Sequence, residues 1–129
     1  MNKILVEVSV GELLDKISIL EIKKEKIKDS KKLNFINDEY NVLKEQLNKN
    51  VKLDEKIEKL FQSLKEINLK LWSIEDDKRM CENKSDFGEN FIKLSRDVHF
   101  LNDDRAKVKL EINNYTGSVI KEIKEYTNY

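Results

Sequence analysis

Residues 53–81 read LDEKIEKLFQSLKEINLKLWSIEDDKRMC, and in them Leu53, Ile57, Leu60, Leu64, Ile67, Leu71, Ile74, Lys78 and Cys81 recur three or four positions apart. That spacing lines one stripe of an α-helix, whereas a strand needs a period of two. Asp54 stands where an N-cap is wanted, its carboxylate free to accept N–H groups of the first turn. The pattern predicts a helix over about 54–83. Downstream, Phe91, Leu94, Val98, Leu101, Arg105, Val108, Ile112 and Tyr115 repeat the same spacing. The polar stretch Asn83 to Gly88 separates the two seams, with Ser85 or Asp86 able to cap the second helix. Two helices of roughly 30 residues span roughly 45 Å each at 1.5 Å per residue, and so short a turn demands that they run antiparallel. Gly117 is placed to end the second helix in a left-handed conformation. Ser118 is expected to cap a short last helix holding Val119, Ile120 and Ile123.

Upstream, Val6, Val8 and Val10 alternate with Glu7 and Ser9, which predicts a short extended segment over 4–10. Ser9-Val10-Gly11-Glu12 has the form of a capping box, in which the Ser9 hydroxyl and the Glu12 carboxylate serve each other's backbone N–H. A helix is predicted over about 10–28, with Val10, Leu13, Ile17, Leu20 and Ile27 on one seam and Ile19 and Ile22 on a second face. A helix apolar on two sides is central in a bundle or shared with another subunit, and a homodimer is expected on that ground. Asp29-Ser30 make a turn. The next helix, about 31–49, carries Leu33, Ile36, Tyr40, Leu43 and Leu47 on a single stripe and should lie outside. The expected fold is all-α, one domain over 1–129, with antiparallel helical hairpins in a coiled-coil-like bundle and helices over about four-fifths of the chain.

Composition agrees. Hydrophobic and charged residues each make up 39% of the 129, the balance of helices with one apolar and one solvated face rather than of a disordered chain. There is no proline, and the only glycines are Gly11, Gly88 and Gly117, so nothing else interrupts a helix. The 25 basic and 25 acidic residues alternate without a basic run, which argues against nucleic acid as a partner. Ile4-Leu5-Val6 is too short for a signal peptide, and no window approaches a transmembrane span. A cytoplasmic protein is expected, with no membrane partner. Cys81 is the lone cysteine and sits on a seam, where it reads as a small buried hydrophobe.

The informative residues are the polar ones that break the seams. Arg105 stands between Leu101 and Val108, and a charge there needs a partner. On the first long helix Glu75, Arg79 and Glu82 share a stripe beside the seam, with Asn68 below them. On the second, Asn102, Lys109 and Asn113 line the stripe next to Arg105. The chain spends 22 lysines and only Arg79, Arg96 and Arg105 as arginines, so arginine in this strip points to a need for its bidentate fork. Arg105 is expected to be largely buried against Glu75, Glu82 or another carboxylate. Two readings follow for Asn68, Glu75, Asp76, Arg79, Glu82, Asn102, Asp103, Arg105 and Lys109. They form an ion-pair network that fixes the register of the long helices, or they line a pocket for an anionic small molecule such as a carboxylate, phosphate or nucleotide. In the second case Trp72 forms a pocket wall, and Glu75-Asp76-Asp77 with Glu82 and Asp103 could hold Mg²⁺, as in all-α nucleotide pyrophosphohydrolases. His99 has no second histidine or cysteine cluster beside it, and there is no Gly-rich phosphate loop or nucleophile–base set, so no cofactor or resident metal is expected. Catalysis is left open.

With those residues in place, the chain resembles a family of small uncharacterised bacterial helical proteins. The resemblance is carried by VSVGELLDKISILEIK over 8–23, LWSIED over 71–76, NDDRA over 102–106 and Gly117-Ser118. It implies a bacterial or phage-like origin and no mechanism. It falls on residues that break the seams, and so implies a shared site including Glu12, Asp15, Glu21, Glu75, Asp76, Arg79, Asn102, Asp103 and Arg105. The function expected is a helical interaction or assembly protein that pairs with itself or a protein partner. The alternative is a small enzyme or binding protein for an anionic metabolite.

Overall fold

The computed structural model describes residues 3–128, and among them the regular structure is four α-helices and no strand: α1 (Val10–Lys26), α2 (Ser30–Asn50), α3 (Glu55–Asn83) and α4 (Glu89–Thr116). Each start is capped where the sequence offers a short polar side chain. Asp29 Oδ1 accepts from the N–H groups of Lys31 and Lys32 at 2.9 and 3.3 Å, and Asp54 Oδ1 accepts from Ile57 N–H at 2.9 Å. Ser9 Oγ accepts from Glu12 N–H at 3.0 Å, but the Glu12 carboxylate goes to Lys109 instead of back to Ser9. The remaining free N–H groups at the head of α1 are met from α4's end: Asn113 Oδ1 takes Gly11 N–H at 2.7 Å and Ser118 Oγ takes Val10 N–H at 3.2 Å. An α-helix leaves these first donors unpaired, so α1 is fastened by its own backbone as well as its apolar face.

Two expectations are corrected. Neither Ser85 nor Asp86 caps α4; Gly88 is the N-cap and no side chain bonds the helix start. Ser85 is spent on stopping α3, at a positive φ of 53°, and Asp86 Oδ1 accepts from Gly88 N–H at 3.2 Å. Nor does a last helix form. Gly117 turns left-handed at φ 68°, and residues 118–128 run on without helix. A helix of so few residues is not stable by its own hydrogen bonds, and this tail places its charged groups on α4 instead.

The backbone of α1 approaches all three other helices, while that of α2 approaches α1 alone, so α1 is central and α2 lies outside. α3 and α4 lie side by side in opposite directions. Asp54, before α3, accepts from Tyr115 at the end of α4, and Asn90, early in α4, reaches Cys81 Sγ late in α3 at 3.7 Å. One apolar cluster joins Leu13, Leu14 and Ile17 of α1 to Leu47 of α2, Ile57 and Leu64 of α3 and Ile112 of α4. It lies at the end where α3 begins and α4 finishes. In the other half of the α3–α4 pair, beyond Leu71 and before Lys109, only Cys81 and Leu94 are buried. The seam of α1 and most of its second face are covered inside the chain: Leu13, Leu14, Ile17, Leu20 and Ile22 are buried, while Ile19 is half-buried.

The closest backbone approach is at Gly11. A Cβ there would lie 2.5 Å from the Lys109 carbonyl oxygen and 2.9 Å from Asn113 Oδ1, well inside contact distance. Gly11→Ala should therefore lower stability by about 1–3 kcal/mol through overpacking. That outweighs the helix propensity alanine adds, at most about 1 kcal/mol. Urea unfolding should show a lower midpoint with an unchanged slope. A midpoint equal to or above that of the parent would contradict this packing.

Candidate functional site

The polar core is organised by Asp15, which α1 carries into the angle between α3 and α4. Asp15 is 1% exposed. Arg105 grips it with two parallel bonds, Nε to Oδ1 at 3.0 Å and Nη2 to Oδ2 at 2.5 Å, the fork geometry only arginine supplies. Asn68 Nδ2 donates to Asp15 Oδ1 and to Ser18 Oγ, both at 2.8 Å, and Ser18 Oγ donates to the Asp15 carbonyl at 2.7 Å. Lys109, one turn beyond Arg105, donates to Glu12 at 2.6 Å and Glu122 at 2.9 Å and stands 3.9 Å from Asp15. The hydrogen bond to Asp15 raises the pKa of Arg105 above its ordinary value against the opposing effect of burial. For Lys109 burial is the largest influence and opposes the charge, but the Glu12 and Glu122 bonds together with Asp15 outweigh it and raise the pKa. No buried side-chain polar atom among the described residues lacks a partner. A smaller cluster lies on the α2 side, where Lys65 Nζ bonds Glu21 at 3.2 Å and Glu25 at 2.9 Å and Tyr40 donates to Glu21 at 3.3 Å.

Arg105 thus has a carboxylate partner, but it is neither Glu75 nor Glu82, and the arginine is only partly buried, with 28% of its side chain exposed. The reason is register. The turn between α3 and α4 centres near Asp86, so Arg105, nineteen residues on, faces the residues around Asn68, about the same distance back. Glu82 lies about 21 Å further along α3 at 1.5 Å per residue and stands exposed. Asn113 lies in the seam strip, but Asp15 and Ser18 do not, Asp15 being named only through the family resemblance; α1 nevertheless shows the sign of both. Gly11, Asp15, Ser18 and Ile22 recur at spacings of four, three and four, on the face of α1 that also bears Ile19. An acid within that stripe is as much a seam-breaker as Arg105.

The other candidates divide in two. Asn102 and Asp103 are half-buried on α4 and face the tail: Asn102 lines a 400 Å³ cleft with Arg105, Lys109, Glu122 and Tyr126, and Asp103 lines the groove alongside. Glu75, Asp76 and Arg79 instead rim a cleft of about 350 Å³ floored by Ile19, Ile22, Leu71 and Trp72, with Asn68 and Arg105 at its inner end. All three are exposed, and none of their side chains makes a hydrogen bond or ion pair with a described residue. Among the described residues no group of three or more His, Cys, Asp or Glu side chains is arranged to hold a metal ion, so the acids around Glu75, Glu82 and Asp103 do not gather into a Mg²⁺ site. No helix among them is long and apolar enough to cross a membrane. Cys81 is buried in the α3–α4 seam, and His99 is exposed with its ring against Phe100.

A family model described as a family of unknown function, DUF6165, matches residues 4–129. The chain belongs to that family. No curated protein and no solved structure matches it. The DUF6165 match takes in the Asp15 network, the open cleft and the tail after Ser118 alike.

The tail gives a direct test of the network's outer edge. Lys124 first, and then Lys109, pull the Glu122 carboxyl down from 4.5 to about 2. Since the folded value lies below the unfolded one, this contact stabilises the chain fully above about pH 4.5 and is lost as the pH falls towards 2. A carboxyl NMR titration of Glu122 should therefore show a midpoint near 2. A midpoint near 4.5 would mean that neither Lys124 nor Lys109 holds the Glu122 carboxylate.

Proposed function

We propose that the protein is a helical assembly module, one domain that pairs with a second copy of itself through the outer half of its α3–α4 pair. The observation that carries this is an exposed apolar group beside a thinly buried helix seam. Met80, Phe87 and Ile92, all in that half, are 53%, 53% and 55% exposed, where only Cys81 and Leu94 are buried between the two helices. A pair of helices buries one stripe of each. Packing against a second pair covers the neighbouring stripes and yields a four-helix arrangement with coiled-coil-like interdigitation. α1, by contrast, has its seam and Ile22 covered within the chain and only Ile19 part-open, which moves the contact away from it.

A copy of the same chain fits this surface better than an unrelated partner because its charges suit self-association. Glu89, Lys93, Arg96 and Asp97 supply two charges of each sign along α4 near Ile92, so neither sign dominates when the patch meets itself across a two-fold axis. The closed network supports the same reading. Its charges are consumed internally and set the register of α1, α3 and α4, leaving the outer half as a fixed platform.

Sedimentation equilibrium of the full chain at micromolar concentrations should give twice the mass of one chain. The double variant Met80→Glu, Ile92→Glu should sediment as a monomer while keeping its helical circular dichroism, because both side chains stand in solvent within one chain. A parent protein that remains monomeric as its concentration is raised would contradict the proposal.

A further inference from the structure

We propose that the cleft between α1 and the middle of α3 binds a small zwitterion with an aromatic or bulky apolar body, a free aromatic amino acid being the simplest representative. The cleft is separate from the pairing surface: none of Met80, Phe87 and Ile92 lines it. Its volume of about 350 Å³ lies at the small end of ligand sites, and Ile19, Ile22, Leu71 and Trp72 give it an apolar floor with one aromatic wall. That floor selects a body of single-ring size.

The charges on the rim select the polar groups. Arg105 faces the cleft, but two of its nitrogens are committed to Asp15, so the pair adds hydrogen-bonding capacity without net charge. What stays open is one guanidinium, Arg79, and two carboxylates, Glu75 and Asp76. A phosphate dianion would meet two like charges for one opposite charge, which disfavours the nucleotide that the sequence brings to mind. A ligand bearing one carboxylate and one ammonium meets a partner for each: the fork of Arg79 takes the carboxylate, and Glu75 or Asp76 takes the ammonium. The three side chains lie on one face of α3, because Arg79 follows Asp76 by three positions and Glu75 by four. In the free protein they can pair only as exposed neighbours on one helix, a weak contact that a ligand displaces readily.

Trp72 is the only tryptophan, so its emission reports on the cleft wall directly. Titrating the full chain with L-phenylalanine, excited where only tryptophan absorbs, should give a saturable change with a half-point below about 1 mM. Phenylacetate lacks the ammonium, phenethylamine lacks the carboxylate, and adenosine monophosphate carries the dianion; each should bind at least about tenfold more weakly. Arg79→Gln and the double variant Glu75→Gln, Asp76→Asn change exposed side chains only. Both should keep the parent circular dichroism spectrum and weaken phenylalanine by a similar factor. No emission change with phenylalanine would overturn the proposal. So would phenylacetate, phenethylamine or adenosine monophosphate binding as tightly as phenylalanine, or either variant binding it as tightly as the parent.

Discussion

Asp15 is a carboxylate taken almost wholly out of water, and the arrangement of α1, α3 and α4 follows from the requirement that it be met there. An uncompensated buried charge costs several kcal/mol, comparable to a large share of a small domain's net stability. Arg105 of α4 and Asn68 of α3 bond it directly, with Lys109 close by, and Ser18 holds its backbone carbonyl. Apolar seams alone are degenerate. Sliding one helix along another by a turn still places leucine and isoleucine against leucine and isoleucine. The same slip would tear Asp15 from Arg105 and Asn68 together, so the polar set excludes what the apolar set tolerates.

That constraint separates residues that look alike in sequence. Asn68, Arg105 and Lys109 are drawn inward and satisfied, and they act by holding three helices in one relation. Glu75, Asp76 and Arg79, only two to three turns further along α3, lie past the reach of Asp15 and remain open to solvent. Arg105 belongs to both regions, since the carboxylate that fixes it also aims it at the inner end of the cleft. On the opposite side of α4 the tail rests on Lys109 through Glu122, so the network is bounded by a cleft on one flank and by the chain's own C-terminal segment on the other.

The helices were legible in the sequence because their seams run for many turns and their ends carry unambiguous signals: Ser9, Asp29 and Asp54 at starts, Gly117 at a stop. α1's central place was legible from its two apolar faces. The partner of Arg105 was harder. Glu75 and Glu82 are conspicuous acids on the adjacent helix, yet counting residues back from the turn places Arg105 beside Asn68 and excludes Glu82. Asp15 escaped the seam strip because an acid in the first turns of a helix also reads as a complement to the helix dipole, and only its spacing with Gly11, Ser18 and Ile22 marks it as interior. The tail could not be read locally. Val119, Ile120 and Ile123 fit a helical turn, and what decides otherwise is a set of contacts to residues more than a hundred positions away in sequence, or across on α4, such as Ser118 with Val10 and Glu122 with Lys109.

The central claim is that Asp15 and Arg105 act as one unit whose members are costly to remove singly. A double-mutant cycle in urea unfolding measures that directly, using Arg105→Met, Asp15→Leu and their combination. Arg105→Met alone strands the buried carboxylate and should cost about 3 kcal/mol or more. Asp15→Leu should cost less, since Arg105 retains access to water and Asn68 keeps its bond to Ser18. The combined variant should be more stable than Arg105→Met alone, because the leucine removes the charge that the first change left unpaired. Single effects that simply add in the double variant would show that the two residues do not hold each other, and would contradict the account.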